Sequence, residues 1–280
     1  MDRAALARLR LYAGYLLFAG TVIWGVWHAP PELWALDLPW LLLAAAMALL
    51  VFLLQALHVA LFLRYHRLPP DWPCIALFTA RKGLLNTILP AKSGTLVLLR
   101  TLTRRYPELR WHDYLRYMLL GVVVSLMVSL LAALGLVLDP LPFTLACLFV
   151  TAVLVLLSRL ETAYLGCLPA LALIATGLYL VILCSIWAVL RGLGHALDFP
   201  QASQLGITLN TLAQISITPG NLGARELLLG LVGRGLELPV SVGILAGAIF
   251  FTIRVLVFGL LLAATEWLVS RSGSGRTGPG

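Results

Sequence analysis

Lys82 and Lys92 are the only lysines in the chain, and they share one short stretch with Arg81, Asn86, Pro90 and Gly94. A second stretch holds Asn210, Gln214, Pro219, Gly220, Asn221, Gly223, Arg225 and Glu226. Arg254 stands alone inside a later apolar run. This mixture suits anion binding. Helix N-termini aim N–H groups and a positive dipole end at anions. Glycine lets a backbone approach closely, and proline fits a first helical turn. Arg81, Lys82 and Lys92 form a candidate electropositive pocket on the cytoplasmic half, with a phosphate or carboxylate headgroup as the natural partner. The competing reading is that these cations snorkel to lipid headgroups at the membrane surface.

An arginine in the middle of a spanning helix costs roughly 2.5–3.5 kcal/mol on insertion scales, so Arg254 needs a partner. Glu226 is the obvious candidate. Such a pair is either a gate or ligand-binding element, or a structural lock between the second stretch and the last helix. Asn86, Asn210 and Gln214 either bind a headgroup or cap short helices, and capping is the simpler role for each alone. No catalytic constellation emerges, whether a nucleophile–base motif, HExxH, a P-loop or a glycine-rich dinucleotide turn. Cys74, Cys147, Cys167 and Cys184 lack zinc-ligand spacing and are expected to be free, buried thiols. His58, near the cytoplasmic end of an apolar run, reads as a histidine satisfied by a neighbour. No metal, cofactor or enzymatic activity is expected.

The elements that must position these groups are set by composition. Hydrophobic residues make up 61% of the chain and charged residues 11%, against about 25% charged in a soluble domain. There is too little polar surface to coat a soluble fold. Nucleic acid is a weak partner for the net charge of +8, because the arginines sit between apolar runs, where they act as topology signals. The expected fold is an all-α polytopic membrane protein. Six apolar runs, about 11–28, 39–63, 114–138, 141–158, 167–190 and 240–268, approach or exceed the roughly 20 residues that span a bilayer as a helix. The first of them reads as an uncleaved span.

Two further segments, Pro73 to about Leu99 and Pro200 to about Gly233, are apolar but interrupted by the residues above. Broken backbone at membrane depth is tolerated only inside protein or beside water. Each therefore reads as a re-entrant helical hairpin. Arg64 and Arg67 precede the first, and Arg100, Arg104, Arg105, Arg110 and Arg116 end and follow it. Both arginine-rich stretches should be cytoplasmic, so the segment between them must enter and leave on one side, or span twice with very short helices. The same rule puts both termini in the cytoplasm, with Arg191 and Arg234 as outer-side exceptions. Residues 1–270 form one membrane domain, and 271–280 read as a disordered cytoplasmic tail.

Ile88-Leu89-Pro90-Ala91-Lys92-Ser93-Gly94 aligns with Ile217-Thr218-Pro219-Gly220-Asn221-Leu222-Gly223, an offset of 129 residues. The spans align at the same offset. Two halves, about 10–138 and 140–268, then start on opposite sides of the membrane. That is an inverted-topology repeat, a plan common among secondary transporters, which bind substrate near the midplane between broken helices.

The first motif, with Asn86 before it and Arg100 after it, together with Ile217-Thr218-Pro219-Gly220-Asn221-Leu222-Gly223-Ala224-Arg225-Glu226, resembles the flippase-like family. That family takes its name from the transmembrane region of lysylphosphatidylglycerol synthases and includes stand-alone bacterial membrane proteins. The resemblance covers about residues 10–268. Family members often carry an acidic residue after the first motif's glycine, where this chain has Thr95. The resemblance implies a bacterial cytoplasmic membrane location and movement of lipids between leaflets, with an anionic or polyprenyl-linked headgroup. A non-transporting scaffold for a lipid-modifying enzyme or glycosyltransferase is the alternative. Membrane lipids are the expected partners, with such an enzyme and a second copy of the chain as further candidates.

Overall fold

A computed structural model describes residues 3–31, 36–89, 93–158, 165–214 and 221–274. Among them there are ten α-helices and no strand. They are α1 (Arg3–Trp27), α2 (Leu38–Tyr65), α3 (Trp72–Ile88), α4 (Ser93–Arg105), α5 (Trp111–Val137), α6 (Pro140–Ser158), α7 (Leu168–Gly192), α8 (Phe199–Gln214), α9 (Ala224–Gly235) and α10 (Val240–Ser274). Four of them, α2, α5, α7 and α10, are long and apolar enough to cross a membrane. Shorter apolar stretches occupy Tyr12–Trp27 and Pro140–Ala152. Helix is the state that satisfies every backbone polar group where lipid offers no partner. Outward faces are greasy: Leu42 and Leu53 on α2, Leu119 and Leu130 on α5, Leu173 on α7 and Leu260 on α10 are all exposed. In water such faces would be a liability; in lipid they are the ordinary surface.

Each interrupted segment folds as two short helices packed on each other, α3 with α4 and α8 with α9. Start signals are local. Asp71 caps α3 by accepting the Cys74 N–H at 3.5 Å, and Asp198 and Gln201 exchange hydrogen bonds of 2.8 and 3.1 Å at the head of α8. At 1.5 Å per residue, α3 and α8 are about 25 Å long and α4 and α9 about 20 Å. All four fall short of the roughly 30 Å hydrocarbon core. The two ends of the α3–α4 pair lie side by side, because Arg105 at the end of α4 pairs with Asp71 before α3 at 3.4 Å. Tyr106 adds a hydrogen bond from its hydroxyl to the Pro69 carbonyl. At the other end, near the middle of α1, Tyr15 donates to the carbonyl of Ile88, the last residue of α3, and Leu17 abuts Gly223 before α9.

The packing repeats itself. α3 lies against α10, and α8 lies against α5. α2 touches α3 and α10, and α7 touches α8 and α5. α2 and α7, which correspond at the 129-residue offset, pack on each other and run antiparallel: Asp37 N–H donates to the Gly192 carbonyl at one end, and Leu63 and Leu171 share a buried cluster at the other. One apolar cluster joins the C-terminal part of α2 to α3, α4 and α5. A second joins α7 to α8, α9 and α10.

The four cysteines are free, and only Cys167 is buried; Cys184 is exposed. The expectation of four buried thiols is corrected here, because apolar sequence around a cysteine does not distinguish a core face from an outward one. α10 continues as helix to Ser274, into the segment read as a tail.

Candidate functional site

A cavity of about 240 Å³ opens among the long helices and the two hairpins. The first hairpin lines it with Lys82, Asn86 and Thr95, and the second with Asn210, Gln214, Asn221 and Arg225. Arg254 enters from α10, Gln55 and His58 from α2, and Ser125 from α5. Residues from opposite halves of the chain thus meet in one chamber that has both polar and apolar walls.

Local chemistry builds the first wall. Asn86, near the end of α3, reaches across to α4. Its Oδ1 accepts the Thr95 N–H at 3.1 Å and its Nδ2 donates to Thr95 Oγ1 at 3.2 Å. An otherwise orphaned N–H at the start of α4 is thereby satisfied. Gly94 makes that approach possible: a Cβ there would sit 2.2 Å from the Lys82 carbonyl oxygen. Lys82 is only 7% exposed and faces the cavity. Arg81, one residue away, is about 100° around the helix. It points outward and pairs with Glu266 at 2.8 Å, so it does not join the pocket expected of it. Pro90 and Lys92 lie outside the described residues.

Arg225 and Glu226 build the second wall. Gly223 has φ of +75°, a conformation that glycine adopts without strain, and Asn221 is also left-handed at +56°. Glu226 sits at the third position of α9 and accepts the Gly223 N–H at 2.7 Å, capping the helix it belongs to. Its other oxygen accepts from Arg225 Nε at 2.9 Å and from Arg225 Nη2. Asn221 donates back to the Leu212 carbonyl at the end of α8 at 2.6 Å. Pro219 and Gly220 lie outside the described residues.

The expected Glu226–Arg254 pair is not formed, since no such contact within 4 Å occurs among the described residues. Glu226 is wholly buried and engaged instead by the α9 N-terminus and by its neighbour Arg225. Arg254 instead lies over two rings, 5.5 Å from the centre of Phe250 and 5.9 Å from that of Phe258. Arg225 shares Phe250 at 6.0 Å and also covers Phe251 at 5.1 Å. Ring faces attract cations without neutralising them. The Nε of Arg254 is buried with no hydrogen-bond partner.

Among the described residues, the side chains of Asn210 and Gln214 bond across to α5. Asn210 Nδ2 donates to Ser129 Oγ at 2.7 Å and to Ser125 Oγ at 3.3 Å, and Gln214 Nε2 donates to Ser125 Oγ at 3.0 Å. They fasten α8 to α5. Gly223 and Glu226 shape the wall from behind and do not line it.

Sequence reasoning missed Gln55, Ser125 and Thr95 as lining residues and set His58 aside. The ring of His58 stacks on Tyr117 at 4.8 Å, and Tyr117 donates to the His58 carbonyl at 2.9 Å. Yet its Nε2 is buried without a hydrogen-bond partner, so it is not satisfied by a neighbour. The available signal was modest: a Gln and a His one turn apart, at i and i+3, in an otherwise aliphatic run.

No family model, no curated protein and no solved structure matches this chain.

Proposed function

We propose that the chain is a lipid translocase in which an anionic or polyprenyl-linked headgroup enters the central cavity while its hydrocarbon chains stay in the bilayer. The observation that carries this reading is the cavity itself. Lys82, Arg225 and Arg254 come from three different elements to line it, and no aspartate or glutamate does so among the described residues. Buried cations at membrane depth are costly, and where they occur they mark pathways for charged cargo. Phosphate and carboxylate headgroups are what guanidinium and ammonium groups bind best.

In this proposal α1, α2, α5, α6, α7 and α10 span the membrane. The α3–α4 and α8–α9 pairs enter from opposite sides and return without crossing. Three features support it. The four hairpin helices are too short to cross, the ends of the first pair lie side by side, and Ile88 at the end of α3 and Gly223 before α9 both contact the middle of α1. The recurring helix pairings and the antiparallel packing of α2 on α7 support an inverted-topology repeat. The arginine distribution supports cytoplasmic termini. The resemblance noted above would fit a bacterial inner-membrane location. Alternating exposure of the cavity would follow from rocking one half against the other, with the two hairpins as gates.

Reconstitution tests the proposal. Purified protein in vesicles should speed the movement of labelled anionic lipid between leaflets, and Arg225→Gln or Arg254→Gln should slow it. Rates equal to those of protein-free vesicles for every anionic and polyprenyl-linked lipid tried would end the translocase reading.

A further inference from the structure

Among the described residues that line the cavity, only His58 has a side chain whose ordinary titration falls between about pH 5 and 8. Its ring stacks on Tyr117 of α5 at 4.8 Å, and its Nε2 is buried with no hydrogen-bond partner. That nitrogen lies against the α5 backbone at Gly121, itself a lining residue, where a Cβ would stand 3.4 Å from it. Whichever nitrogen holds the proton of the neutral ring, the imidazolium donates from both. An ionised donor left without an acceptor in the interior is far costlier than a neutral one. The surrounding wall offers no anionic acceptor. Among the described residues α3 brings Lys82, α9 brings Arg225 and α10 brings Arg254, while α7 and α8 bring no ionisable side chain. Glu226 stands behind Arg225 and does not line the cavity, and the Tyr117 hydroxyl donates to the His58 carbonyl. A headgroup phosphate supplies what is missing, since its oxygens are charged acceptors.

We propose that the cavity takes up an anionic headgroup together with one proton carried on His58, so that proton and anion are linked ligands of one site. The proton comes from water and rests on the imidazole. One N–H bond forms, and no bond of the headgroup changes. Each ligand strengthens the binding of the other, because linkage is reciprocal. A lipid that crosses with its proton is driven toward the alkaline side of a proton gradient. This rests on the cavity being the headgroup site. The phosphate belongs either to a lipid or to a free anion, and the chemistry of recognition is shared.

The test uses the full chain and a phosphodiester probe, whose own charge is constant across this pH range. In detergent, the affinity for short-chain phosphatidylglycerol, read from thermal unfolding at increasing lipid, should rise as pH falls. The rise is at most about tenfold per pH unit, the limit for one linked proton. His58→Gln should flatten that slope. Gly121→Ala, which keeps the imidazole and sets a methyl against Nε2, should weaken it. The slope is read within each preparation, so a fall in folded protein does not alter it. A flat affinity in the unaltered protein, or a slope that survives in His58→Gln, would overturn the inference and leave the translocase reading intact. In vesicles with an imposed pH gradient, labelled phosphatidylglycerol should gather in the leaflet on the alkaline side, beyond its distribution in protein-free vesicles. A His58-dependent slope in protein that moves no lipid under any gradient would keep the proton-linked site and remove the translocase reading. Glycerophosphoglycerol, the same headgroup without chains, binding as tightly as the lipid would keep the linkage and assign it to a soluble anion.

Discussion

The helices α3 and α8, which correspond at the 129-residue offset, are held to their neighbours by different means. The α3–α4 pair docks on α10 by shape. Gly83 leaves a notch that the fully buried Phe258 ring fills, with the ring 2.0 Å from where a Cβ would stand. In the second pair α8 docks on α5 with hydrogen bonds from Asn210 and Gln214 to Ser125 and Ser129, while α9 packs on α10. Shifted by 129 residues, Phe258 corresponds to Ser129 and Arg254 to Ser125. At this offset the docking position is shared and its chemistry differs. One side is an aromatic plug beneath an arginine, the other a serine ladder. Charge is also handled differently. The first hairpin's ion pair, Asp71–Arg105, lies at its exposed mouth, whereas the second hairpin's pair, Arg225–Glu226, is buried beside the cavity.

Removing Glu226 should break the second hairpin most severely. Glu226→Gln leaves Arg225 buried without its carboxylate and weakens the α9 cap, a loss of about 3–5 kcal/mol for a broken buried pair. Thermal unfolding in detergent should show the largest fall of any variant here, and Glu226→Asp should recover only part of it. The shape-based dock comes next. Gly83→Val forces bulk into the Phe258 ring and should cost about 1–3 kcal/mol as overpacking. Pairing it with Phe258→Ala should restore part of the loss, and a double-mutant cycle measures the coupling. If the serine ladder were equally intolerant of bulk, the contrast between the docks would disappear.

Asn210→Ala removes the donor shared by Ser125 and Ser129 and should cost about 1 kcal/mol, since hydrogen bonds between membrane helices average less than their geometry promises. The smallest effect belongs to the exposed mouth. Asp71→Asn should lower stability by less than about 1 kcal/mol, the usual worth of a solvated pair. Hydrogen bonds from Cys74, chiefly its thiol, hold the Asp71 carboxyl below its ordinary value of 3.8, with Arg105 assisting and partial burial opposing. A depressed carboxylate stabilises the fold above that ordinary value and loses its contribution as pH falls through the lowered one. The difference between wild type and Asp71→Asn should therefore be constant near neutrality and vanish in strong acid, in unfolding measured across pH.

Much of the plan was readable in advance because lipid simplifies the code. Long aliphatic runs become helices wherever backbone groups have no other partner, which places α2, α5, α7 and α10 within a few residues. The same logic marks Pro73–Leu99 and Pro200–Gly233 as interrupted, since amides, prolines and cations do not face hydrocarbon on an unbroken rod. Most of the cavity's polar lining was legible for that reason: Lys82, Asn86, Asn210, Gln214, Asn221, Arg225 and Arg254 are the costly residues of an apolar sequence, and they converge.

What each of those residues does was decided by the tertiary structure. Glu226 pairs with its neighbour because the α9 N-terminus holds its carboxylate on that side. Arg81 leaves the cavity that Lys82 enters because adjacent residues diverge around a helix by about 100°. His58 and Ser125 join the site only through how α2 and α5 are turned, a rotation that uniformly apolar helices do not encode in their own pattern. Hydropathy acts residue by residue and survives in the sequence. Partner choice depends on distances between segments far apart in the chain, and those exist only once the helices have packed.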